Sequence, residues 1–398
     1  MSNLHIIIAG GGIGGLCLAQ SLHKAGISCA VYERDLEMGI SGYRLHMNAD
    51  GGNALRFALP DHLYELYVQT SRRTPRREMA ILLDKNGIEL GVRPHIGPAN
   101  DPVLPHTAVN RKTLRQILLI GIEHLVHFGQ KVTGYTQSDS GVQVQLQDGT
   151  IVNGDLLIGA DGINSVIRKQ LLPDIDVIDT GTRALYSKLK LNEKLATSLP
   201  DVFFDGLTSA SDDAGTYMAI CPYQPRRAVT EAVAELAPGA AIEHVDDYIM
   251  VSLSIGPDAG ISDDVLRQSA PQQLHDIMKK LTSDWSGDLR KLVAHIDPDT
   301  IFPQTIRLLD PAEPWTTSRV TLLGDAIHAM PPSYGAGANL ALKDAHQLAQ
   351  QMIAMNDRPA DWAEYVHAYE QQMRSYSYPI LEMSSNKQTA RTFTLMNK

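Results

Sequence analysis

Three cysteines in 398 residues are too few and too scattered to form a disulfide framework. Cys17, Cys29 and Cys221 stand in apolar or mixed runs without metal-ligand spacing, which predicts free thiols in a reducing, cytoplasmic compartment. Basic residues are also in the minority. With 35 Lys and Arg against 45 Asp and Glu, the formal charge is -10, and a protein that tracks nucleic-acid phosphates is excluded. No run reaches the roughly 18 consecutive apolar residues that a membrane-spanning helix needs. The first apolar stretch, Leu4–Ala9, contains His5 and stops at glycines, so it reads as neither signal peptide nor span. Repeats and low-complexity segments are missing. What remains is ordinary globular composition, 43% apolar and 20% charged, in a chain long enough to divide into two domains.

What is present begins at once. Leu4–Ala9 reads as a strand buried on both faces, and Gly10, Gly12 and Gly15 then supply a G-x-G-x-x-G. Leu16, Ala19, Leu22 and Ala25 recur at helical spacing until Gly26, and a second strand, Ser28–Tyr32, ends in Glu33. Strand, glycine turn, helix, strand and acid make one βαβ unit. Its glycines let a pyrophosphate approach the helix N-terminus, and Glu33 accepts from a ribose hydroxyl. The loop alone leaves NAD and FAD open.

Two later stretches bear on that choice. A strand over Asp155–Ile158 follows the hairpin turn "DGT" and runs into "GADGINSVIRKQL", where Asp161-Gly162 stands at the strand end and Ser165 and Arg168 open a helix. Near the C-terminus, Val320–Leu323 is again a buried strand, tipped by Gly324-Asp325. Pro331-Pro332 and Gly335-Ala336-Gly337 then lead into an amphipathic helix from Asn339. His328 reads as a packed, hydrogen-bonded histidine rather than a catalyst.

These motifs, in this order, resemble the class A flavoprotein monooxygenases of the para-hydroxybenzoate hydroxylase fold. The residues that carry the resemblance are Gly10, Gly12 and Gly15, then Asp161-Gly162, then Gly324-Asp325-Ala326-Ile327-His328 with Pro332, Gly335, Gly337 and Asn339. A fourth match is "NRKTLRQILL", where Arg111 stands at the family's flavin-contacting arginine. Ala336 departs from the glutamine many members carry between the two glycines. The resemblance implies an α/β fold: a Rossmann-like FAD-binding domain over 1–171 and 303–398, a mixed β-sheet substrate domain over 172–302, and a C-terminal helix. Pro379 in that last helix predicts a kink or break.

By the same resemblance, FAD is held at the first loop by the three glycines with Ile13 and Gly14, and beside it by Glu33 and Arg34. Arg44, Arg111, Asp161 and Asp325 add side chains to that set. Pro332, Gly335, Gly337, Ala338 and Asn339 complete it from the C-terminal loop. NAD(P)H visits transiently, since no second G-x-G-x-x-G exists to hold it, and O2 adds to the reduced flavin as a C4a-hydroperoxide. The flavin carries the chemistry, so no catalytic dyad and no metal are expected.

The central residues carry no glycine fingerprint and read as strands over Arg183–Leu191, Thr216–Cys221 and Asp247–Ile255, then a helix over Pro271–Leu281. "GYRLHMN", Gly42–Asn48, is too polar for a core strand. The resemblance brings it past the flavin edge, with Arg44 by the ring and His46 or Met47 toward substrate. "GYRLHMN", "SDWSGDLRKL" and "YEQQM" are similar to the tetracycline-modifying members, and with them Ala219, Met250, Ser252 and Pro332 become substrate-lining candidates. The expected activity is hydroxylation of an aromatic or polycyclic substrate by a monomer. The rivals are a flavin-linked reductase, a flavin-binding sensor, and a halogenase, whose W-x-W motif is absent because Trp285, Trp315 and Trp362 stand far apart.

Overall fold

A computed structural model describes residues 4–37, 42–99, 106–332, 335–356 and 358–385. The first apolar run forms the strand His5–Ala9, central in a parallel five-stranded sheet. Its neighbours are Leu156–Gly159 and then Val320–Leu322 on one side, Ser28–Tyr32 and then Val126–His127 on the other. Ile6, Ile7 and Ile8 are wholly buried, as the lack of alternation predicts. The loop helix Ile13–Lys24 packs on the long helix Gly337–Met355, which in turn packs on Trp362–Ser385. An antiparallel trio, Val132–Ser138, Gly141–Leu146 and Ile151–Gly154, lies against the His5–Ala9 and Leu156–Gly159 strands.

Because the sheet is parallel, the strands ending at Ala9, Gly159 and Leu322 all release their loops at one edge. The register pairs Ala9 with Gly159 and Gly159 with Leu322. The three sequence motifs therefore meet there, the position at which such sheets bind ligands.

A second sheet of seven strands is mixed. Its order is Phe302–Leu309, Val177–Lys190, Tyr248–Ile255, Tyr217–Tyr223, Leu207–Ser211, Ala80–Asp84 and Glu89–Arg93. It therefore recruits strands from 80–93 and 302–309, outside the 172–302 expected for a second domain. Strand alternation gives it two unlike faces. Leu185, Met218, Ile220, Val251 and Leu253 pack beneath the helices Pro271–Leu281 and Gly287–Ala294. Tyr43, Cys221, Tyr223, Tyr248 and Met250 form a separate cluster on the other face. A ribbon of Arg44–Met47 paired with Thr107–Asn110 stands at that face.

Two expectations change. The strand expected from Arg183 starts at Val177, because "DTGT" is a bulge with Gly181 at φ 78°, not a turn. Trp362–Ser385 continues through Pro379 without a break. Tyr369, Met373 and Leu381 are all fully buried, so packing holds both halves and offsets the lost hydrogen bond.

Candidate active site

The glycine loop divides its labour. A Cβ at Gly10 would sit 2.4 Å from the Ala160 carbonyl oxygen, and one at Gly15 only 2.1 Å from that of Gly10. Gly14 faces Leu323, 2.8 Å from the same hypothetical atom, so the loop helix packs closely there. Ile13 likewise points into the core. Gly12 alone opens outward, with nothing within 4 Å of its Cβ position. It caps the loop helix without a side-chain hydrogen bond, and the first turn holds no acid, so the helix N–H groups face the opening.

Glu33 holds this loop in place. Its carboxylate accepts from Gly11 N–H at 2.8 Å and from Asp35 N–H at 3.0 Å. Arg115, not anticipated from the sequence, donates to the Gly11 carbonyl at 2.8 Å and lies 3.6 Å from Glu33. It stands one turn after Arg111, and that i, i+4 spacing was the signal available. Arg34 is exposed and sits 3.7 Å from Asp35.

At the second loop, Asp161 accepts from Val166 N–H at 2.8 Å, while its Oδ1 is buried without a partner. Burial raises its pKa. Arg168, fully buried, donates to the Ala326 carbonyl at 3.1 Å and so ties this loop to the third.

The third loop turns at Gly324, whose φ is 61°. Gly324 N–H donates to Asp344 at 2.7 Å, and His328 Nε2 meets the same oxygen at 2.6 Å. Tyr376 O–H donates to the other Asp344 oxygen at 2.6 Å. Burial works against a charged His328, but Asp344 outweighs it and the histidine pKa is raised. His328 is thus structural, and Asp344 is a second residue the sequence reading missed; its signal was an acid one helical face beyond Asn339.

Asp325 remains exposed at the tip. Its Oδ1 is 3.8 Å from the Cβ position of Gly337, where the long helix starts with neither side-chain cap nor acid. Burial lowers the Arg111 pKa, and Asp325 opposes that shift, so the two charges share this region.

Several expected ligands also build the frame. Asn339, 1% exposed, accepts from Asn48 N–H at 2.9 Å and donates to the carbonyls of His46 at 2.8 Å and Gly335 at 3.1 Å. Its side-chain amide clamps "GYRLHMN" to the C-terminal loop. Ala338 packs against the core, and Met47 is fully buried. Gly335, at φ 63°, lies against the His46 side chain, whereas Pro332 is exposed; Ser333 and Tyr334 lie outside the described residues. Arg44 does not stay with the loops. Its Nη2 donates to the Gly206 carbonyl of the seven-stranded sheet at 3.0 Å.

Ala219, Met250 and Ser252 share one sheet face. Ala219 is registered with Ser252, and Met250 with Cys221. Tyr186 is registered with Ser252 on the other side. Tyr186, Tyr217 and Ala219 are partly exposed, so this face is open. Phe302 stacks on Tyr186 and meets Tyr43 edge-on, and the Tyr43 carbonyl accepts from Arg111 N–H at 2.7 Å, so the face looks toward the Arg111 helix start. Burial pushes the Tyr186 pKa up to about 12.

The donor set fits a flavin dinucleotide. The open Gly12 position suits a pyrophosphate at the first helix start, and Glu33 keeps lone pairs for a ribose. Asp325 stands at the second helix start, with the Arg111 charge acting on it from beside Gly42, a set that suits the ribityl chain and ring. An "FAD binding domain" family model matches residues 120–377, and an "NAD(P)-binding Rossmann-like domain" model matches 8–77. A dual O-methyltransferase/FAD-dependent monooxygenase of Cercospora beticola is 32% identical over 89% of this chain, which spans 42% of that relative's length. The aurachin C monooxygenase/isomerase of Stigmatella aurantiaca is 27% identical, covering 92% of this chain and 84% of its own. Among solved structures, one from Photorhabdus luminescens, assigned as an FAD-containing monooxygenase, superposes with a TM-score of 0.84 at 29% identity, covering 99% of both chains. Klebsiella pneumoniae HpxO with FAD and uric acid gives 0.78 at 21% identity over 100% of this chain and 93% of its own, a likeness of fold.

Proposed function

The chain belongs to the FAD-binding domain family, and on that premise we propose that it is an FAD-dependent monooxygenase hydroxylating an aromatic or polycyclic substrate. The observation that carries this reading is the open sheet face of Tyr186, Tyr217, Ala219 and Ser252, linked through Phe302 and Tyr43 to the start of the Arg111 helix. When bound, FAD supplies the redox chemistry that takes reducing equivalents from NAD(P)H and delivers one oxygen atom of O2.

The chain's own residues bind and orient. The Gly12 helix start receives the pyrophosphate, Glu33 the ribose and Asp325 the ribityl hydroxyls, with Arg34 and Asp161 at the rim. Arg111 and the Gly337 helix start place positive potential where electron-rich flavin lies. Ala219, Met250, Ser252 and Pro332 line the substrate, and His46 flanks it. Their largely apolar wall excludes water, and the flexible Met250 side chain adapts to a flat ring system. The three buried free thiols are in keeping with a reducing compartment, the cytoplasm, and the working unit is one chain.

The test is a screen of aromatic compounds for stimulated NAD(P)H oxidation, followed by mass spectrometry. A product heavier by one oxygen is expected. Stimulated oxidation with a reduced product would assign a reductase instead, and a flavoprotein that never consumes reductant would be a binding protein.

A further inference from the structure

Charged groups that the reading above leaves idle gather between the Arg44–Met47 strand and the seven-stranded sheet. Arg44 is 8% exposed; its Nη2 donates to the Gly206 carbonyl, and its Nε has no partner. Among the described residues it forms no ion pair. Glu78, the carboxylate of this cluster, is taken by Arg72 at 2.6 Å and by His95 at 3.0 Å. Asp205, whose carbonyl accepts from Arg72, gives its carboxylate to Arg76 and Arg77. Around His46 stand Arg44, Arg72, His95 and His106, with His106 Nδ1 at 3.1 Å from His46 Nε2. Burial, then these neighbours, hold the His46 pKa well below its ordinary value, so the imidazole is neutral. Arg72 is balanced by Glu78. One buried positive charge, that of Arg44, has no counter-charge.

A buried guanidinium without an acceptor for its charge is costly, and such a group is retained where a ligand completes it. The Gly206 carbonyl that holds Arg44 precedes Leu207, which packs with Ala219 on the cluster of Cys221 and Met250. Cys221 occupies the same sheet face as Ala219 and is registered with Met250. The uncompensated charge therefore borders the proposed substrate wall. Resting on the monooxygenase reading, we propose that Arg44 anchors an ionised oxygen of the substrate, a phenolate or a carboxylate, against the Ala219–Cys221 end of that wall.

The holoenzyme is titrated with three probes while flavin fluorescence and visible difference spectra are followed. They are 2-naphthoate, its neutral analogue 2-naphthylmethanol, and 4-nitrophenol, whose visible band reports ionisation. The wild-type protein is expected to bind 2-naphthoate, or 4-nitrophenol as the phenolate, roughly tenfold more tightly than the neutral alcohol. The first outcome names a carboxylate and the second a phenolate. Arg44→Gln is expected to abolish the preference and to retain FAD. Cys221→Asp places a carboxylate beside Arg44 and is expected to erase the preference equally, which keeps the proposal testable where Arg44→Gln fails to fold. Equal wild-type affinity for charged and neutral probes overturns the proposal. So does an unchanged preference in either variant, or loss of FAD from folded Arg44→Gln with the preference intact. Turnover of neutral aromatics without any anion preference removes this proposal and leaves the monooxygenase reading; anion preference without oxygenated product does the reverse.

Discussion

At the scale of single residues, Asp325 and Arg115 test whether the loop edge holds a cofactor, and the His328–Asp344 pair tests what holds the third loop. Asp325 is the exposed acid at the third strand tip, so Asp325→Ala should purify folded but with little flavin, read as flavin absorbance per protein. Full occupancy would place the ribityl chain elsewhere. Arg115 satisfies the Gly11 carbonyl from beneath the loop. Arg115→Ala leaves that buried carbonyl without a donor, at a cost of about 2 kcal/mol by denaturant unfolding, and should weaken FAD binding though Arg115 is not itself a proposed ligand. His328 and Asp344 are both fully buried, and breaking such a pair costs about 3 kcal/mol. The sign of its pH dependence follows from the raised histidine pKa. The pair's contribution is complete below the unfolded histidine's pKa, near 6.5, and fades as pH rises through the higher folded value. The stability gap between wild type and His328→Gln should therefore be widest in mildly acidic buffer and narrow toward alkaline pH. A gap that widens with pH would show that His328 is neutral in the fold.

At the scale of elements, the strand Tyr248–Ile255 presents Val251 and Leu253 to the helices beneath and Met250 and Ser252 to the open face. Alternation makes those roles exclusive. Met250→Trp should fill the open side, abolish substrate-stimulated NAD(P)H oxidation and leave FAD bound. Normal turnover in that variant would remove the strand from the substrate wall. The "GYRLHMN" ribbon and the C-terminal loop behave as one element, because Asn339 joins Asn48, His46 and Gly335 through a single amide.

At the scale of the whole molecule, the sequence alone determined whatever depends on neighbours along the chain. The strand Ser28–Tyr32 and the helix Pro271–Leu281 appear at the bounds read from apolar periodicity and turn residues. The loop helix ends where Gly26, with φ 71°, was read to stop it, but it starts at Ile13, inside the glycine motif. Three glycine or glycine–aspartate motifs at strand ends were enough to bring their loops to one edge, since parallel strands must release their loops on the same side. Tertiary structure alone decided who uses each remaining lone pair and charge. Nothing local to Asn339 says that a backbone N–H 291 residues away will occupy its oxygen, or that Asp344 will take both Gly324 and His328. Nothing in residues 80–93 says that they will extend a sheet built mostly from later chain. Periodicity records which face of an element is buried, whereas hydrogen bonds and ion pairs depend on which distant element is packed against that face.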